Sequence, residues 1–555
     1  MTADDVRAGA SLPPRASRLA ALESRTFDAL VVGGGITGAA TARDLASRGL
    51  AVALVEREDW ASGTSWRSSK LVHGGLRYLA KGDLVLVFQS LAERARLLRL
   101  APHLVSPLEF VFAILRGRWV SPRSLAAGLT LYDLLALGRG RRHRGLSARA
   151  AVDAEPLLAG SDLAGGALYS DASTDDARLT LENVLDATAL GAVAVSRVSV
   201  LSFLRSGAGR RVEGAAARDL ETGREIRIQS RVTVEAAGPW TDALRRGEDP
   251  GAAPTVRLSK GSHITVPFEV LPVRRAVAIP AERGRLVFVI PSGAVTLIGT
   301  TDADYRGPVD GVGPEPAEVN YLLSRAREAF PSRAPRRADI IASFAGLRPL
   351  RFEAGKDVAS MSREESLDVS PGRIVVTGGK LTTHRRMGRR AGDAVASQLR
   401  RLGVRGGKSA TADRKFPGAP EGAMEAFVER FARDGQGASI PAETARHLAR
   451  RYGTRAAGVL AVASETGMSR PLAAGLPDIE AEVLFAARSE DARSAADVLI
   501  RRTHLFWQAR DQGVAALPRI QELLGSELRW STEAAGRSRD EYLREVEKSR
   551  RAFAG

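Results

Sequence analysis

The sequence predicts an α/β protein that begins with a parallel sheet, continues through further strands and ends in an all-helical domain. Three observations predict this organisation. Residues 30–32 and 50–55 are short apolar runs on either side of a glycine-rich turn and a helical stretch, which is the order of a strand–helix–strand unit. Residues 193–231 and 260–302 are rich in strand signals. From residue 420 to about 547 the apolar residues recur only at helical spacing.

Length and composition exclude several classes of protein. With 555 residues, 44% of them apolar and 26% charged, the chain has a globular composition and is long enough for several domains. The absence of cysteine excludes disulfides, iron–sulfur clusters and cysteine nucleophiles, and we expect no metal site. No apolar run approaches the roughly 20 residues of a transmembrane helix. Residues 1–25 lack the apolar centre of a signal peptide, so we expect a disordered leader with a short helix near residues 18–24.

The net charge of +17 raises the question of an anionic partner. The arginines that produce this charge are scattered along the chain rather than grouped. Aromatic residues amount to only 5%, and no motif that reads DNA or RNA appears. We therefore expect no nucleic-acid partner.

The glycine-rich turn predicts a dinucleotide site. Gly33, Gly35 and Gly38 form G-x-G-x-x-G directly after the first strand. These glycines would allow a tight turn, close approach of the backbone to a pyrophosphate, and close packing of the helix on the sheet. The helix from residue 36 to about 48 would place its N-terminus at the pyrophosphate. Glu56 ends the second strand, where a carboxylate accepts hydrogen bonds from an adenosine ribose, and this favours a dinucleotide site over an ordinary glycine-rich turn.

The next stretch resembles a known family. Residues 63–78 read GTSWRSSKLVHGGLRY and resemble the segment that follows the ribose-binding acid in FAD-dependent glycerol-3-phosphate dehydrogenases. In that family, small hydroxyl residues and backbone amides line the flavin pyrophosphate and ribityl chain. Trp66 departs from the family pattern, which has a small residue there. The resemblance implies that FAD is bound by Gly33, Gly34, Gly35, Ile36, Thr37, Gly38, Glu56, Arg57, Thr64, Ser65, Ser68, Ser69, Lys70, His73, Gly74, Gly75, Ala237, Gly238, Gly379, Lys380, Leu381 and Thr382.

The resemblance extends over about residues 26–545 and implies a domain organisation. It implies a Rossmann-like, two-dinucleotide-binding-type FAD domain that is discontinuous in sequence, an antiparallel-sheet substrate domain and an all-helical C-terminal domain. The first two together would occupy residues 26–402. The expected FAD parts are residues 26–105, 165–258 and 345–402, the substrate-domain parts are residues 106–164 and 259–344, and the C-terminal domain is residues 413–545.

The reaction implied by the resemblance is the oxidation of sn-glycerol 3-phosphate to dihydroxyacetone phosphate by hydride transfer to FAD. The family pattern maps the cationic clamp for the phosphate onto Arg77, Tyr78, Arg363 and Lys380. The base that takes the C2 hydroxyl proton is either His73 or His263, because neutral imidazole suits proton abstraction near pH 7 and both residues lie in motif-rich stretches. Arg348 is expected to face the C2 oxygen.

Residues 124–137 predict a nearly apolar helix between two arginine clusters. It is too short to span a bilayer. It is therefore either a buried helix of the substrate domain or an anchor that lies in the membrane interface, with arginines reaching towards the headgroups. The family's dehydrogenases are membrane-associated, which supports the second alternative.

The resemblance implies a membrane quinone as the electron acceptor and an anionic membrane surface as a partner. The protein would then be cytoplasmic and peripherally associated with the inner face of the cytoplasmic membrane. The main alternative is an oxidase that passes the electrons to oxygen and releases peroxide. An amine or amino-acid oxidase of the same fold is less favoured, because its substrate needs no phosphate clamp. A flavoprotein that binds RNA is an alternative from another class, and a homodimer is left open.

Overall fold

The computed structural model describes residues 11–79, 82–207, 211–282, 284–353, 355, 361, 364–435 and 440–554, with the backbone alone at residues 77, 434 and 435. The strands are β1 Thr26–Val32, β2 Val52–Val55, β3 Leu71–Val72, β4 Val105–Leu115, β5 Arg144–Leu146, β6 Leu163–Thr174, β7 Val193–Val195, β8 Val198–Arg205, β9 Val212–Asp219, β10 Glu225–Glu235, β11 Val256–Pro267, β12 Ala276–Pro280, β13 Leu286–Ser292, β14 Val295–Gly299, β15 Ala303–Tyr305, β16 Ala342–Arg351, β17 Ser366–Ser370 and β18 Arg373–Thr377. The α-helices are α1 Arg15–Ser24, α2 Ile36–Ser47, α3 Leu76–Leu79, α4 Leu84–Leu100, α5 Pro122–Leu135, α6 Ala148–Ala154, α7 Asp176–Ala189, α8 Thr241–Glu248, α9 Pro316–Ala329, α10 His384–Arg401, α11 Met424–Gly435, α12 Ala442–Tyr452, α13 Ala456–Thr466, α14 Glu480–Ser489, α15 Leu505–Gln508, α16 Leu517–Leu528 and α17 Thr532–Arg551.

The first sheet brings the ends of several parallel strands to one edge. Its strand order is β17-β18-β10-β1-β2-β7, and β9 and β8 extend it beside β10. Strands β18, β10, β1, β2 and β7 run parallel. Val32 at the end of β1 lies opposite Val55 of β2 and Glu235 of β10. The loops after these strands therefore meet at the carboxyl edge of the sheet, which is where open α/β sheets bind ligands.

The second sheet has the strand order β15-β11-β14-β13-β12-β4-β6-β3, with β16 paired to β11 and β5 to β6. All its neighbouring strands are antiparallel except β4 and β12, which run parallel. Residues 165–174 and 345–351 belong to β6 and β16 of this sheet, although the sequence boundaries assign them to the FAD parts. The proposed boundaries cut through four strands, β4, β6, β11 and β16, because the partners that decide sheet membership lie far away in sequence.

The C-terminal part of the chain is helical and shares a hydrophobic core with the second sheet. Phe344 of β16 belongs to the same buried cluster as Leu505 and Phe506 of α15. The amide of Ser343 also donates to Oγ of Ser549 in α17, across 2.8 Å. None of the helices in the described part of the chain has the length and apolar character needed to cross a bilayer.

Residues 11–25 differ from the expected disordered leader, whose residues 1–10 lie outside the described part of the chain. Residues 11–25 are ordered, and α1 begins at Arg15, earlier than the predicted helix. Leu22 is buried, and the guanidinium of Arg18 is paired with the carboxylate of Asp491 across 2.6 Å. This order depends on a distant partner in the C-terminal domain, which local composition does not reveal.

Helix α5 is apolar on two faces but buried on only one. Leu125, Leu129 and Tyr132 are buried, whereas Leu131 and Leu134 are exposed. The alternative of a fully buried helix is therefore wrong. Its 14 residues form a helix of about 21 Å, which lies along the surface of the protein with an apolar face open to solvent.

Candidate active site

The turn after β1 has no room for side chains at two of its glycines. Gly33 has a φ of +109°, and a Cβ there would lie 2.6 Å from the carbonyl oxygen of Ala236. A Cβ on Gly38 would overlap the carbonyl oxygen of Gly33. The amide of Ile36, at the start of α2, donates to Oγ of Ser65 across 2.9 Å. The turn thus packs against the sheet and directs the N-terminus of α2 towards its carboxyl edge, as a pyrophosphate site requires.

A cavity of about 590 Å³ extends from this turn to the second sheet. That volume is in the usual range for cofactor pockets. It brings together most of the residues that the sequence predicts for the site. The predicted residues that line it are Gly33, Gly35, Ile36, Thr37, Glu56, Arg57, Thr64, Ser65, Ser68, Ser69, His73, Gly75, Tyr78, Ala237, Gly238, His263, Arg348, Gly379, Lys380, Leu381 and Thr382.

Glu56 is held rigidly at the end of β2. Its Oε2 accepts from the amide of Gly34 at 2.6 Å, and its Oε1 accepts from the amide of Glu58 at 2.8 Å. Burial raises the pKa of Glu56 above its ordinary value, while these two amides oppose the rise. A carboxylate fixed here, beside the glycine turn, has the position that a ribose-binding acid needs.

The loop at residues 57–70 forms one wall of the cavity, and its hydroxyls are fixed by neighbouring elements. Oγ1 of Thr64 donates to the carbonyl oxygen of Leu347 at 2.6 Å. Oγ of Ser68 donates to Asp176 at 2.6 Å. Nζ of Lys70 donates to the other oxygen of the same carboxylate at 2.7 Å. Together with the glycine turn and Glu56, this wall of hydroxyls and amides fits the pyrophosphate and ribityl chain of FAD.

His263 lies on β11 at the far end of the cavity. Its Nε2 is 2.8 Å from Oγ of Ser69, and its ring stacks on Phe344 with centroids 5.2 Å apart. A Cβ on Gly299 would overlap the imidazole, so the neighbouring strand has to carry glycine there. Burial, together with the positive charges of Arg348 and Lys70, holds the pKa of His263 well below its ordinary value. The ring is therefore neutral near pH 7.

Arg348 lies on β16, and polar side chains of neighbouring residues fix its guanidinium. One of its nitrogens, Nη2, donates to Oγ1 of Thr300 at 3.1 Å, and Nη1 donates to Oγ of Ser259 at 3.3 Å. The same Nη1 is 3.5 Å from the buried carboxylate of Asp302. The guanidinium covers Gly261, where a Cβ would overlap it. These contacts aim a permanent cation at the cavity beside His263.

A second cation that lines the cavity is the ammonium of Lys380. Nζ of Lys380 lies 3.3 Å from the centroid of the Tyr78 ring. His73 lies in the loop before α3, with its ring centroid 6.5 Å from that of Phe288. The amide of His73 donates to Oγ1 of Thr382 at 3.1 Å, which ties this loop to the segment after β18. Tyr78, Lys380 and His73 all line the cavity.

Some predicted residues do not line the cavity. Gly34 and Gly74 lie in loops and Gly38 lies in α2, but none of the three lines it. The ammonium of Lys70 faces Asp176 and the carbonyl oxygen of Trp66. Arg363 lies outside the described residues, as does the side chain of Arg77. Trp66, the departure from the family pattern, is buried behind the wall against Phe344 and Phe506.

Sequence reasoning missed the residues that hold the site in shape. Asp302 and Ser259 support Arg348, and Asp176 fixes both Ser68 and Lys70. A usable signal was present, because Asp302 and Asp176 occur inside stretches that match the family pattern.

One cluster of His, Asp and Glu in the described residues has a spacing suited to a metal ion. It consists of His447, Asp478 and Glu482. However, Nη1 of Arg451 already donates to both carboxylates. The cluster is therefore a buried ion-pair group of the C-terminal domain, away from the cavity.

Comparison with known proteins identifies the family. Residues 28–394 match the family model described as FAD dependent oxidoreductase, and residues 409–535 match the C-terminal domain of alpha-glycerophosphate oxidase. The mitochondrial glycerol-3-phosphate dehydrogenase of Macaca fascicularis is 36% identical over 544 residues, which cover 93% of this chain and 73% of that protein. The chain belongs to the FAD-dependent glycerol-3-phosphate dehydrogenase family. Glycerol-3-phosphate dehydrogenase 2 of Mycobacterium bovis is 35% identical, and the match covers 95% of this chain and 89% of that protein.

A solved structure of the same family supports the assignment. The crystal structure of the glycerol-3-phosphate dehydrogenase from Bacillus halodurans, complexed with FAD, superposes with a TM-score of 0.81. The two proteins are 30% identical, and the match covers 98% of this chain and 99% of that one. Family membership confirms the predicted fold, with its α/β FAD domain and helical C-terminal domain, and it confirms an FAD-dependent oxidoreductase.

Proposed function

We propose that this member of the glycerol-3-phosphate dehydrogenase family oxidises sn-glycerol 3-phosphate to dihydroxyacetone phosphate and delivers the electrons to a membrane quinone. The observation that carries the substrate assignment is the set of ionisable groups that line the one cavity. They are a supported guanidinium, a neutral imidazole and an ammonium group, provided by Arg348, His263 and Lys380. An oxidation of a phosphorylated alcohol needs these three groups.

Lys380 and Tyr78 are proposed to bind the substrate phosphate, together with Arg77 and Arg363. The ammonium of Lys380 lies over the Tyr78 ring, and a cation placed against an aromatic face at 3.3 Å from its centroid is held in a narrow range of positions. A phosphate dianion is the substrate group that such a cation attracts most strongly. The two arginines would add planar forks, which can bond two phosphate oxygens at once.

His263 is proposed as the base that accepts the C2 hydroxyl proton, ahead of His73. The ring of His263 is neutral near pH 7 because burial and Arg348 disfavour its charged form. Its hydrogen bond with Oγ of Ser69 and its stacking on Phe344 fix the ring plane. Arg348 would stabilise the C2 oxygen as it becomes a carbonyl, since its charge is fixed before the reaction begins.

The residues proposed to hold FAD divide into two groups. The glycine turn, the N-terminus of α2 and Glu56 would hold the pyrophosphate and the adenosine ribose. The loop at residues 57–70 and the Gly379–Thr382 backbone would hold the ribityl chain and the ring. FAD held by these residues would supply the two-electron chemistry, as acceptor of a hydride and donor of electrons to the acceptor. The orientation of C2 towards the cofactor depends on the protein groups that fix the phosphate and the oxygen.

The apolar surface of α5 supports a quinone as the acceptor, because a quinone is confined to the bilayer. Leu134 of α5 and Leu137, two residues beyond its end, are 66% and 61% exposed. Helix α4, whose Val87 and Leu91 pack with Tyr132 of α5 in one buried cluster, exposes Leu84, Val85 and Phe88 at its N-terminal end. A monomeric soluble protein rarely exposes so many large apolar side chains on two adjoining helices.

Arginines surround this surface and favour an anionic membrane. Arg123, Arg139 and Arg142 are exposed at or beyond the ends of α5. Arg118 and Arg141 are instead paired with Glu328 and Glu109. We propose that these helices dock on the inner face of the cytoplasmic membrane, with the arginines at the headgroups and the leucines below them. A homodimer remains a prediction, which a measurement of the molecular mass of the protein in detergent would test.

Turnover with two acceptors tests the proposed function. The purified holoenzyme is mixed with glycerol 3-phosphate in vesicles that contain a quinone, and flavin reduction, quinone reduction and peroxide are followed together. We expect substrate-dependent flavin reduction, rapid quinone reduction and little peroxide. Flavin reduction with rapid peroxide release and a poor quinone rate would make the protein an oxidase. Failure of the substrate to reduce the flavin would refute the substrate assignment itself.

A further inference from the structure

The loop at residues 57–70, called the FAD loop here, has contacts on two opposite sides. Its inner side lines the cavity through residues such as Thr64 and Ser65. Its outer side faces a segment of the C-terminal domain at residues 497–507. The inner side of the loop would contact the cofactor. The contacts on the outer side therefore fix the loop conformation that the cofactor meets.

Two arginines bind the buried carboxylate of Asp59 on the outer side of the FAD loop. Nε of Arg501 donates to Oδ2 of Asp59 at 2.5 Å. Arg502 binds the same carboxylate with both ends of its fork, Nη1 to Oδ2 and Nη2 to Oδ1, each at 2.9 Å. The side chain of Asp59 is fully buried, and those of Arg501 and Arg502 are nearly so. We name Asp59, Arg501 and Arg502 the clamp.

The two arginines are themselves fixed before they meet Asp59. Nη2 of Arg501 donates to Asp497 at 2.5 Å, and Nη2 of Arg502 donates to the carbonyl oxygen of Glu490 at 2.9 Å. Both arginines end a π-helical turn, Asp497–Arg502, a type of helix that occurs mostly as single turns and often at functional sites. The C-terminal domain therefore presents a rigid pair of cations to the FAD loop.

Two further contacts join the same segment to the FAD loop beyond Asp59. The ring of Trp66 meets that of Phe506 edge to face, with centroids 5.8 Å apart. Nζ of Lys70 lies 5.0 Å from the centroid of the Trp507 ring. The loop is thus held at its beginning, middle and end by residues that lie more than 400 positions later in the chain.

We propose that the clamp is a positioning device for FAD, through which the C-terminal domain sets the shape of the FAD loop. Burying three charges costs free energy that an apolar contact of the same size would not. In return, the clamp fixes the position of the FAD loop. The cofactor would contact the opposite side of this loop. Asp59, Arg501 and Arg502 act through the loop and do not line the cavity. This inference rests on FAD as the cofactor and does not depend on the electron acceptor.

The rate of FAD release from the diluted holoenzyme tests the proposal, because FAD becomes more fluorescent when it leaves a protein. We expect Asp59→Asn to release FAD at least tenfold faster than the parent. Arg501→Lys keeps a charge beside Asp59 but loses the fork, and we expect an intermediate rate. This second variant also covers the case in which Asp59→Asn does not fold. In both variants the KM for glycerol 3-phosphate, measured with saturating FAD, should stay within about twofold of the parent.

Tyr452→Phe is the matched control. Tyr452 is a buried residue of the same domain, and its hydroxyl donates to Oε1 of Glu482 at 3.0 Å, so its hydrogen bond involves neither the clamp nor the FAD loop. It should lower the thermal unfolding midpoint but leave the rate of FAD release at the parent value. Parent-like release from Asp59→Asn or, if that variant does not fold, from Arg501→Lys would overturn the proposal. So would equal acceleration by Tyr452→Phe, since that would show only a general loss of stability.

Discussion

The hydroxyl of Tyr132 accepts a hydrogen bond from the amide of Gly74 across 2.9 Å. It donates in turn to Asp171, whose Oδ1 lies 2.7 Å away, and Asp171 is also paired with Arg94. Burial and the neighbouring carboxylate raise the pKa of Tyr132 well above its ordinary value, so the phenol keeps its proton. Because Tyr132 lies on α5, the surface helix is bonded directly to the loop that carries His73.

Tyr132→Phe should therefore impair catalysis without a loss of FAD. Removal of the hydroxyl leaves the amide of Gly74 and one oxygen of Asp171 without this partner, at a cost of about 1–2 kcal/mol. If that cost falls on the loop geometry, the rate of flavin reduction should drop roughly 5–30-fold. Stopped-flow absorbance of the flavin measures it. Tyr321→Phe is the control and should keep the parent rate, since Tyr321 has a comparable bond to Glu282 at 2.6 Å and neither residue lines the cavity.

The choice of base predicts different results for two histidine variants. His263→Gln should lower the rate of flavin reduction by a factor of about 10²–10⁴, the usual contribution of a general base. His73→Gln should have a smaller effect, because its ring is proposed to line the cavity without taking the proton. Single-turnover reduction at saturating glycerol 3-phosphate separates the two. A larger loss in His73→Gln would transfer the role of base to His73.

The depressed pKa of His263 predicts the acid side of the pH profile. Its ordinary pKa is 6.5, and burial with Arg348 places the folded value well below that. The base form then persists below pH 6.5, so the acid limb of flavin reduction at saturating substrate should lie below that pH. The same shift has a second consequence. As the pH falls below about 6.5, the unfolded chain takes up a proton that the folded chain does not, so the free energy of unfolding should fall.

His384 should contribute to the same loss of stability at low pH. Burial lowers its pKa to about 4, and its Nδ1 lies 2.8 Å from the carbonyl oxygen of Leu381. Urea unfolding followed between about pH 7 and pH 5 measures the combined effect. His447, whose pKa is raised by Asp478 against the effect of burial, acts in the opposite direction, so the parent is compared with His263→Gln and His384→Gln. Each variant should lose less free energy of unfolding over this interval than the parent, and an unchanged slope would contradict the pKa direction of the histidine replaced.

The part of the fold that the sequence predicted well is the part determined by local pattern. The predicted helix from residue 36 to about 48 is α2, Ile36–Ser47, and the predicted strand at residues 50–55 contains β2, Val52–Val55. Glycine positions and apolar runs decide such elements over a few residues. The FAD cofactor and the family followed from the same stretch and from residues 63–78, because a long motif is more specific than any single position.

The family pattern could mark Asp302 as a candidate, but the contacts that support the site could not be predicted, because they depend on pairings between distant strands. Asp302 follows β14 and Arg348 lies on β16, and they meet only because both strands pair with β11. Nothing in the local sequence around Asp59 indicates that Arg501 and Arg502 will bind it. The predicted boundaries at residues 165 and 345 cut through β6 and β16 for the same reason.

The role of Glu56 predicts a loss of FAD affinity when its carboxylate is removed. Glu56→Ala should weaken FAD binding by one charge-assisted hydrogen bond, on the order of 1.5–3 kcal/mol. Titration of the apoprotein with FAD, followed by fluorescence, gives the change in Kd. Glu225→Ala is the control, since that exposed carboxylate at the start of β10 pairs with Arg218 and does not line the cavity. Equal affinities in the parent and Glu56→Ala would contradict the ribose-binding role.

The exposed face of α5 predicts how the protein binds membranes. Leu134→Glu and Leu137→Glu each place a charge on the proposed docking surface, where an acidic side chain would have to enter the membrane interface. Each should reduce sedimentation with anionic vesicles about tenfold or more, because the apolar burial is lost and the new charge is repelled by the lipid. Leu220→Glu, at a 48% exposed position in the turn between β9 and β10, is the control and should bind like the parent.

The salt dependence of vesicle binding and the rate of quinone reduction complete the test of the docking surface. The arginines near α5 contribute up to about 1 kcal/mol each near anionic lipid, so vesicle binding by the parent should weaken at high salt without disappearing, since the leucines remain. If the docking surface delivers electrons to a quinone, Leu134→Glu should lose quinone reduction in vesicles while flavin reduction by glycerol 3-phosphate in solution stays at the parent rate. Parent-like quinone reduction by a variant that no longer binds vesicles would separate the acceptor from this helix.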